Sequence, residues 1–163
     1  MVLESRKDAR FLIVGTGSRA TDLEGLARTL GIGHAVRFLG FREDVPAITA
    51  ALDVSVLPSV DCDASSAVLK EALACGVPAV ATSIGGAAEI VRDGETGLVV
   101  PPRQPGRLAA AILTLIENPG RAREMGRRGS QDVARRFTPE RLAAETLRVY
   151  QTVVERFIKR RAG

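Results

Sequence analysis

No tryptophan, one tyrosine and five scattered phenylalanines leave these 163 residues without a platform of aromatic rings on which single-stranded bases could stack. Nucleic acid is therefore not an expected partner. The single histidine, His34, rules out a His-rich metal site, and its place just before an apolar run reads as plain surface. Two cysteines, Cys62 and Cys75, stand in neither a CxxC nor a Cys/His spacing. Zinc is not expected, and both read as free thiols. Cys75 reads as a small core residue at a helix end, and Cys62 as a loop thiol that is reactive if exposed. No apolar run approaches the length of a membrane helix, and Met1 to Arg10 is charged where a signal peptide is apolar. The expected setting is cytoplasmic, with contact at a membrane surface left open.

With only three lysines, the net charge of +4 is carried by arginine. The arginines spread over helical segments, with one dense cluster from Arg121 to Arg136, and solvated helix surface is the reading preferred over an anionic partner. The apolar content of 45% beside 26% charged residues is that of a globular protein, and the length fits one domain over 1–163.

Branched apolar runs recur at Phe11 to Val14, Val36 to Leu39, Val54 to Leu57, Ala79 to Ala81 and Leu98 to Val100. Short runs that are apolar on both alternating faces predict parallel strands covered by helices on both sides. Between them Leu23 to Leu30, Val45 to Leu52 and Val68 to Ala74 carry helical spacing. The fold class that follows is α/β, a doubly wound, Rossmann-like parallel sheet over about 10–101. After Pro101 and Pro102 the pattern becomes helical alone, giving a carboxyl-terminal extension over about 105–160. Its last helix opens with Thr138 and Pro139 and carries a stripe of Leu142, Thr146, Val149, Val153 and Phe157. So long a striped helix predicts packing on a further partner or self-association.

Glycines mark the strand ends: Gly15 and Gly17, Gly40, then Gly85 and Gly86. Ligands of open α/β sheets bind at those carboxyl ends, which gathers the candidate site from the loops near Gly15, Gly40, Pro58 to Ser66 and Ser83 to Gly86. Gly15, Gly17 and Ala20 fit the GxGxxA form of the dinucleotide fingerprint. The acid that would hold a ribose is missing from the end of the next strand, where Phe38, Leu39 and Gly40 stand and Glu43 comes too late.

Asp63 and Glu71, with seven residues between them, bracket the start of a helix. Ser59, Ser65 and Ser66 surround Asp63 with hydroxyl groups, and the helix from about Ser66 aims its positive end at the same loop. Glu71 sits among Ala67, Val68, Ala72 and Leu73, a setting that calls for a hydroxylated ligand or a basic group. Lys70, near the helix start, reads as a solvated side chain, with a phosphate contact as the alternative.

At FLIVGTGS, VRFLGFREDVPAITAALDVSVLPS, DASSAVLKEALACGVPAVATSIGGAAEIV, DGETGLVVPP and RRFTPERLAAETLRVYQTV the chain resembles the nucleotide-sugar-binding, carboxyl-terminal domain of the retaining glycosyltransferases of family 4, which have the GT-B fold. The resemblance implies a glycosyltransferase donor domain that takes a nucleotide diphosphate sugar, needs no metal or other cofactor and serves glycan biosynthesis. It places Asp63, one methylene shorter than the usual glutamate, beside the transferred sugar as the catalytic position, and Glu71 on the ribose hydroxyls. Backbone amides around Ala64, Ser65, Ser66 and Ala67 receive the diphosphate, Gly15, Gly17, Gly40, Ser59 and Val68 border the donor, and Phe41 and Arg42 border the base. It also implies that an amino-terminal acceptor domain, and an opening strand and helix bearing an Arg and a Lys, lie outside this sequence, so that the chain alone transfers weakly or not at all. A non-catalytic nucleotide-binding module on the same fold is the alternative expectation, and a nicotinamide-binding protein a third.

Overall fold

The structure, a computed structural model, describes residues 1–161. Five strands are present: β1 (Phe11–Val14), β2 (Val36–Gly40), β3 (Ser55–Leu57), β4 (Ala79–Thr82) and β5 (Gly97–Val100). All pairings are parallel, as the doubly apolar runs predict. Helices α2 (Ala20–Thr29), α3 (Val45–Ala50) and α4 (Ala67–Ala74) connect them, and α6 (Pro105–Ile116), α7 (Pro119–Arg136) and α8 (Pro139–Arg161) form the extension. Two four-residue helices were not expected from the sequence: α1 (Val2–Ser5), where residues 1–10 read as a charged segment, and α5 (Ala87–Ile90). Each is a single turn, too short to show a period.

The parallel strands fall into two hydrogen-bonded sets. Hydrogen bonds join β1 to β2 and β3 to β4 to β5, but none joins β1 to β3, so the strands form a pair and a triplet. A hydrophobic pattern fixes strands and their faces, whereas the neighbour each strand pairs with is a nonlocal property.

The core lies around β4, whose four residues are all buried. Alternation sends Ala79 and Ala81 to one face, against Leu69 and Leu73 of α4 and Ile90 of α5, and Val80 to the other, against Leu115 of α6 and Met125 of α7. Helix α7 runs close to α4: a Cβ at Gly126 would stand 1.8 Å from the Gly76 carbonyl oxygen. The Arg-rich stretch in α7 is solvated in part, with Arg127 and Arg128 bound to Glu124 on the surface. Asp132 is the exception, 2% exposed and held by Arg92 and Arg136, while Arg136 also donates to the Glu89 carbonyl of α5. These bonds tie α7 to the segment that follows β4.

Helix α8 leaves the core. Leu142, Val149, Tyr150 and Val153 are all more than half exposed, so these positions of the stripe expected from the sequence lie open.

Candidate functional site

β3 ends at Leu57 and the chain then runs through an irregular loop to α4. Ser66 is the N-cap of α4: its Oγ accepts from the Leu69 amide at 3.4 Å, which satisfies one of the helix's first amides and leaves the hydroxyl proton free to donate. Ser65 accepts from Lys70 Nζ at 3.1 Å, so Lys70 folds back over the helix start, with its ammonium 5.5 Å from the Phe137 ring centre. The sequence reading of Lys70 as a solvated side chain misses both contacts. The amides of Ala64, Ser65, Ser66 and Ala67 make no hydrogen bond to another protein group among the described residues, leaving a run of donors at the positive end of the helix.

Two glycines hold that loop in place. A Cβ on Gly85, whose φ is +53°, would stand 1.8 Å from the Asp63 carbonyl oxygen, and one on Gly86 would stand 2.6 Å from that of Ala64. The Gly86 amide donates to the Asp63 carbonyl at 3.2 Å. From the other side the Thr82 hydroxyl, at the end of β4, donates to the Ser59 carbonyl at 2.6 Å. The sequence signalled the glycine pair as a strand-end turn; Thr82 carried no signal beyond being polar at the end of a buried strand. Asp63 is half-buried, and its carboxylate accepts from the Ser59 hydroxyl at 3.5 Å, a long bond.

Glu71 is exposed, on the second turn of α4. It faces a cavity of about 460 Å³ whose lining includes Gly15 after β1, Phe41 and Arg42 after β2, and Val68. Four of the candidate residues thus gather with Glu71 at the carboxyl ends of strands. Gly17 and Gly40 line a neighbouring cavity of about 680 Å³ beside Ala20 and Leu23, which Gly15 shares. Asp63, Ser59 and the loop residues Ala64 to Ala67 line neither.

Arg42 is committed within the protein. Its guanidinium makes two 2.8 Å bonds to Asp44, which hold the Asp44 carboxyl below the usual carboxylate range and raise the arginine further. Phe41, 73% exposed, is the more available of the pair for a planar ligand. Cys62 is exposed and Cys75 half-buried, both as free thiols; Cys75 is thus only partly the core residue expected. Among the described residues no cluster of His, Cys, Asp or Glu is arranged to hold a metal ion, and no helix is long and apolar enough to cross a membrane.

The sequence profile described as "Glycosyl transferases group 1" matches residues 1–118. N-acetyl-alpha-D-glucosaminyl L-malate synthase of Bacillus anthracis is 31% identical over 147 residues, covering 90% of this chain and 38% of that protein. Among solved structures, sucrose-phosphate synthase from Thermosynechococcus elongatus superposes with a TM-score of 0.81 at 30% identity, over 94% of this chain and 41% of the other. HepE of Anabaena, in complex with UDP-glucose, superposes with a TM-score of 0.79 at 26% identity, over 94% of this chain and 44% of the other. The chain spans about two-fifths of the length of each of these three proteins. Its architecture is the Rossmann-like, carboxyl-terminal half of a GT-B glycosyltransferase. By profile and by fold, the chain belongs to the glycosyl transferases group 1 family.

Proposed function

We propose that this chain is the donor-binding part of a retaining glycosyltransferase that uses a nucleotide diphosphate sugar. The observation that carries the reading is the cavity that brings Glu71 of α4 together with Gly15 and Phe41 at the strand ends, while the amides that begin the same helix are free. An exposed carboxylate at that place accepts hydrogen bonds from vicinal hydroxyls, as a ribose presents them. The amides of Ala64 to Ala67 and the positive end of α4 balance the diphosphate, supplying charge stabilisation without a metal ion. Phe41 packs against the base, and Gly15 lets the backbone approach the ligand closely. HepE was solved with UDP-glucose, which supports a nucleotide sugar as the ligand class here.

Asp63 is assigned to the transferred sugar. In this scheme protein groups position the reactants and stabilise charge, and the departing diphosphate assists the acceptor on the face it leaves. The acceptor is oriented by the remaining length of enzymes of this kind, of which this chain spans about two-fifths, so these residues alone bind donor and turn it over slowly. One observation favours a second reading, nucleotide binding without transfer: Asp63 does not line the cavity that holds Glu71.

Isothermal titration of the chain with UDP, GDP and their glucose and mannose conjugates, with NAD as control, tests the proposal. One nucleoside diphosphate and its sugar bind one to one, and Glu71→Gln weakens both by roughly tenfold or more, the loss of charge-assisted hydrogen bonds. Because Glu71 is exposed, the thermal midpoint of the variant stays unchanged. Equal affinity in the variant, or binding of NAD alone, overturns the assignment.

A further inference from the structure

We propose that Arg103, on the turn after β5, is a positioning residue: it anchors the loop that carries Asp63 and so sets how firmly the transferred sugar is held, which rests on the donor reading given above. Among the described residues Arg103 is the one non-glycine residue with a positive φ, at +59°. It directly follows Pro101 and Pro102, in a left-handed conformation that glycine takes freely and a residue with a Cβ takes only under strain. Its guanidinium donates to the carboxylate of Asp61, 42 residues back in the chain, in the loop between β3 and α4. An arginine at this turn thus stores backbone strain and supplies an anchor across the strand ends.

Three elements hold that loop. At its start Thr82, the last residue of β4, donates to the Ser59 carbonyl. Further along, the amide of Gly86, which precedes α5, donates to the Asp63 carbonyl. Between these points Val60, Asp61 and Cys62 are exposed, and among the described residues their backbone makes no hydrogen bond to another protein group. The bond from Arg103 is the polar tie of that stretch. Exposed backbone with few contacts opens readily, so this tie governs how ordered the approach to Asp63 is. With side chains 68% and 73% exposed, the ion pair adds little to global stability, and its consequence is geometric. Val60 to Cys62 lead into Asp63 from the amino side and set the direction of its carboxylate. The amides of Ala64 to Ala67, assigned to the diphosphate, lie beyond it and are held separately, by the Ser66 cap and by the close approach of Gly86 to the Ala64 carbonyl. Loss of the anchor therefore loosens the sugar more than the diphosphate.

Arg103→Gly, Asp61→Asn and the double variant are compared with the unaltered chain by thermal denaturation and by calorimetric titration with UDP, GDP and their glucose and mannose conjugates. Arg103→Gly relieves the strained φ, so its thermal midpoint is not lowered. The same variant binds the sugar conjugate at least roughly threefold more weakly, while its affinity for the nucleoside diphosphate stays within roughly twofold. Asp61→Asn shows the same split although it makes the chain more positive, and the double variant loses no more than either single one. Long-range attraction alone gives the opposite sign for Asp61→Asn, which would then bind both ligands more tightly. Amide exchange in the ligand-free chain quickens at Cys62 and Asp63 in both single variants. Conjugate affinity equal to that of the unaltered chain in either variant, an equal loss for diphosphate and conjugate, additive losses, unaltered exchange, or a lowered midpoint in Arg103→Gly overturns the proposal and leaves the donor reading standing. If the unaltered chain binds no nucleotide sugar, the donor reading fails and the proposal falls with it.

Discussion

Gly85 shows how a residue with no functional group governs the candidate site. Its missing Cβ is what lets the Asp63 carbonyl approach, and its φ of +53° is one that side chains rarely adopt. Gly85→Ala is therefore expected to cost about 3 kcal/mol, from overpacking against backbone and from strain, read as a lowered urea midpoint with an unchanged slope. An unaltered midpoint contradicts the claim that this glycine pins the loop. At this scale the sequence was legible wherever a residue announced itself by spacing. Asp63 and Glu71 stand out because they bracket a helix start, and Glu71 does open onto a cavity at the strand ends. Asp132 was illegible: in the sequence it is one more acid on an arginine-rich helix, and only the fold buries it between Arg92 and Arg136. Arg42 was read too simply, because its partner Asp44 lies two residues on and the pairing depends on the local turn.

Among the elements, α7 offers a pH signature. Hydrogen bonds from Arg127 and then Arg128 lower the Glu124 carboxyl from an ordinary 4.5 to about 2. A carboxyl depressed in the folded chain contributes stability that is complete above its unfolded value and lost as pH falls through its folded one. For Glu124 that window runs from about 4.5 down to about 2, and solvent exposure keeps the effect small and sensitive to salt. Carboxyl NMR titration should place Glu124 near 2, and Arg127→Gln should move it back toward 4.5; titration near 4.5 in the unaltered chain contradicts the geometry. Helix α8 makes a separate claim. With Leu142, Val149 and Val153 at 70%, 61% and 59% exposure, we expect concentration-dependent self-association in sedimentation that Val149→Ser with Val153→Ser reduces. Sedimentation unaltered by the two substitutions places any association elsewhere. The strands were legible because burial on both faces leaves a continuous apolar run, as in β4, and α8 because its stripe persists over many turns. The single-turn α1 and α5 lack the length for a period.

For the whole molecule, family membership and the parallel α/β architecture rest on matched segments in a fixed order along most of the chain, which is why both were legible. The division into pair and triplet was not, because which strands become neighbours depends on contacts distant in sequence. The central claim, that the carboxyl ends of these strands and the start of α4 receive a nucleotide diphosphate, is tested most directly by mapping amide chemical shifts of the chain during titration with UDP and, separately, GDP. The account predicts saturable shifts, for one of the two, concentrated at Gly15, Phe41, Ala64 to Ala67 and Glu71. Shifts confined to Gly17 through Leu23, or none at millimolar nucleotide, contradict it.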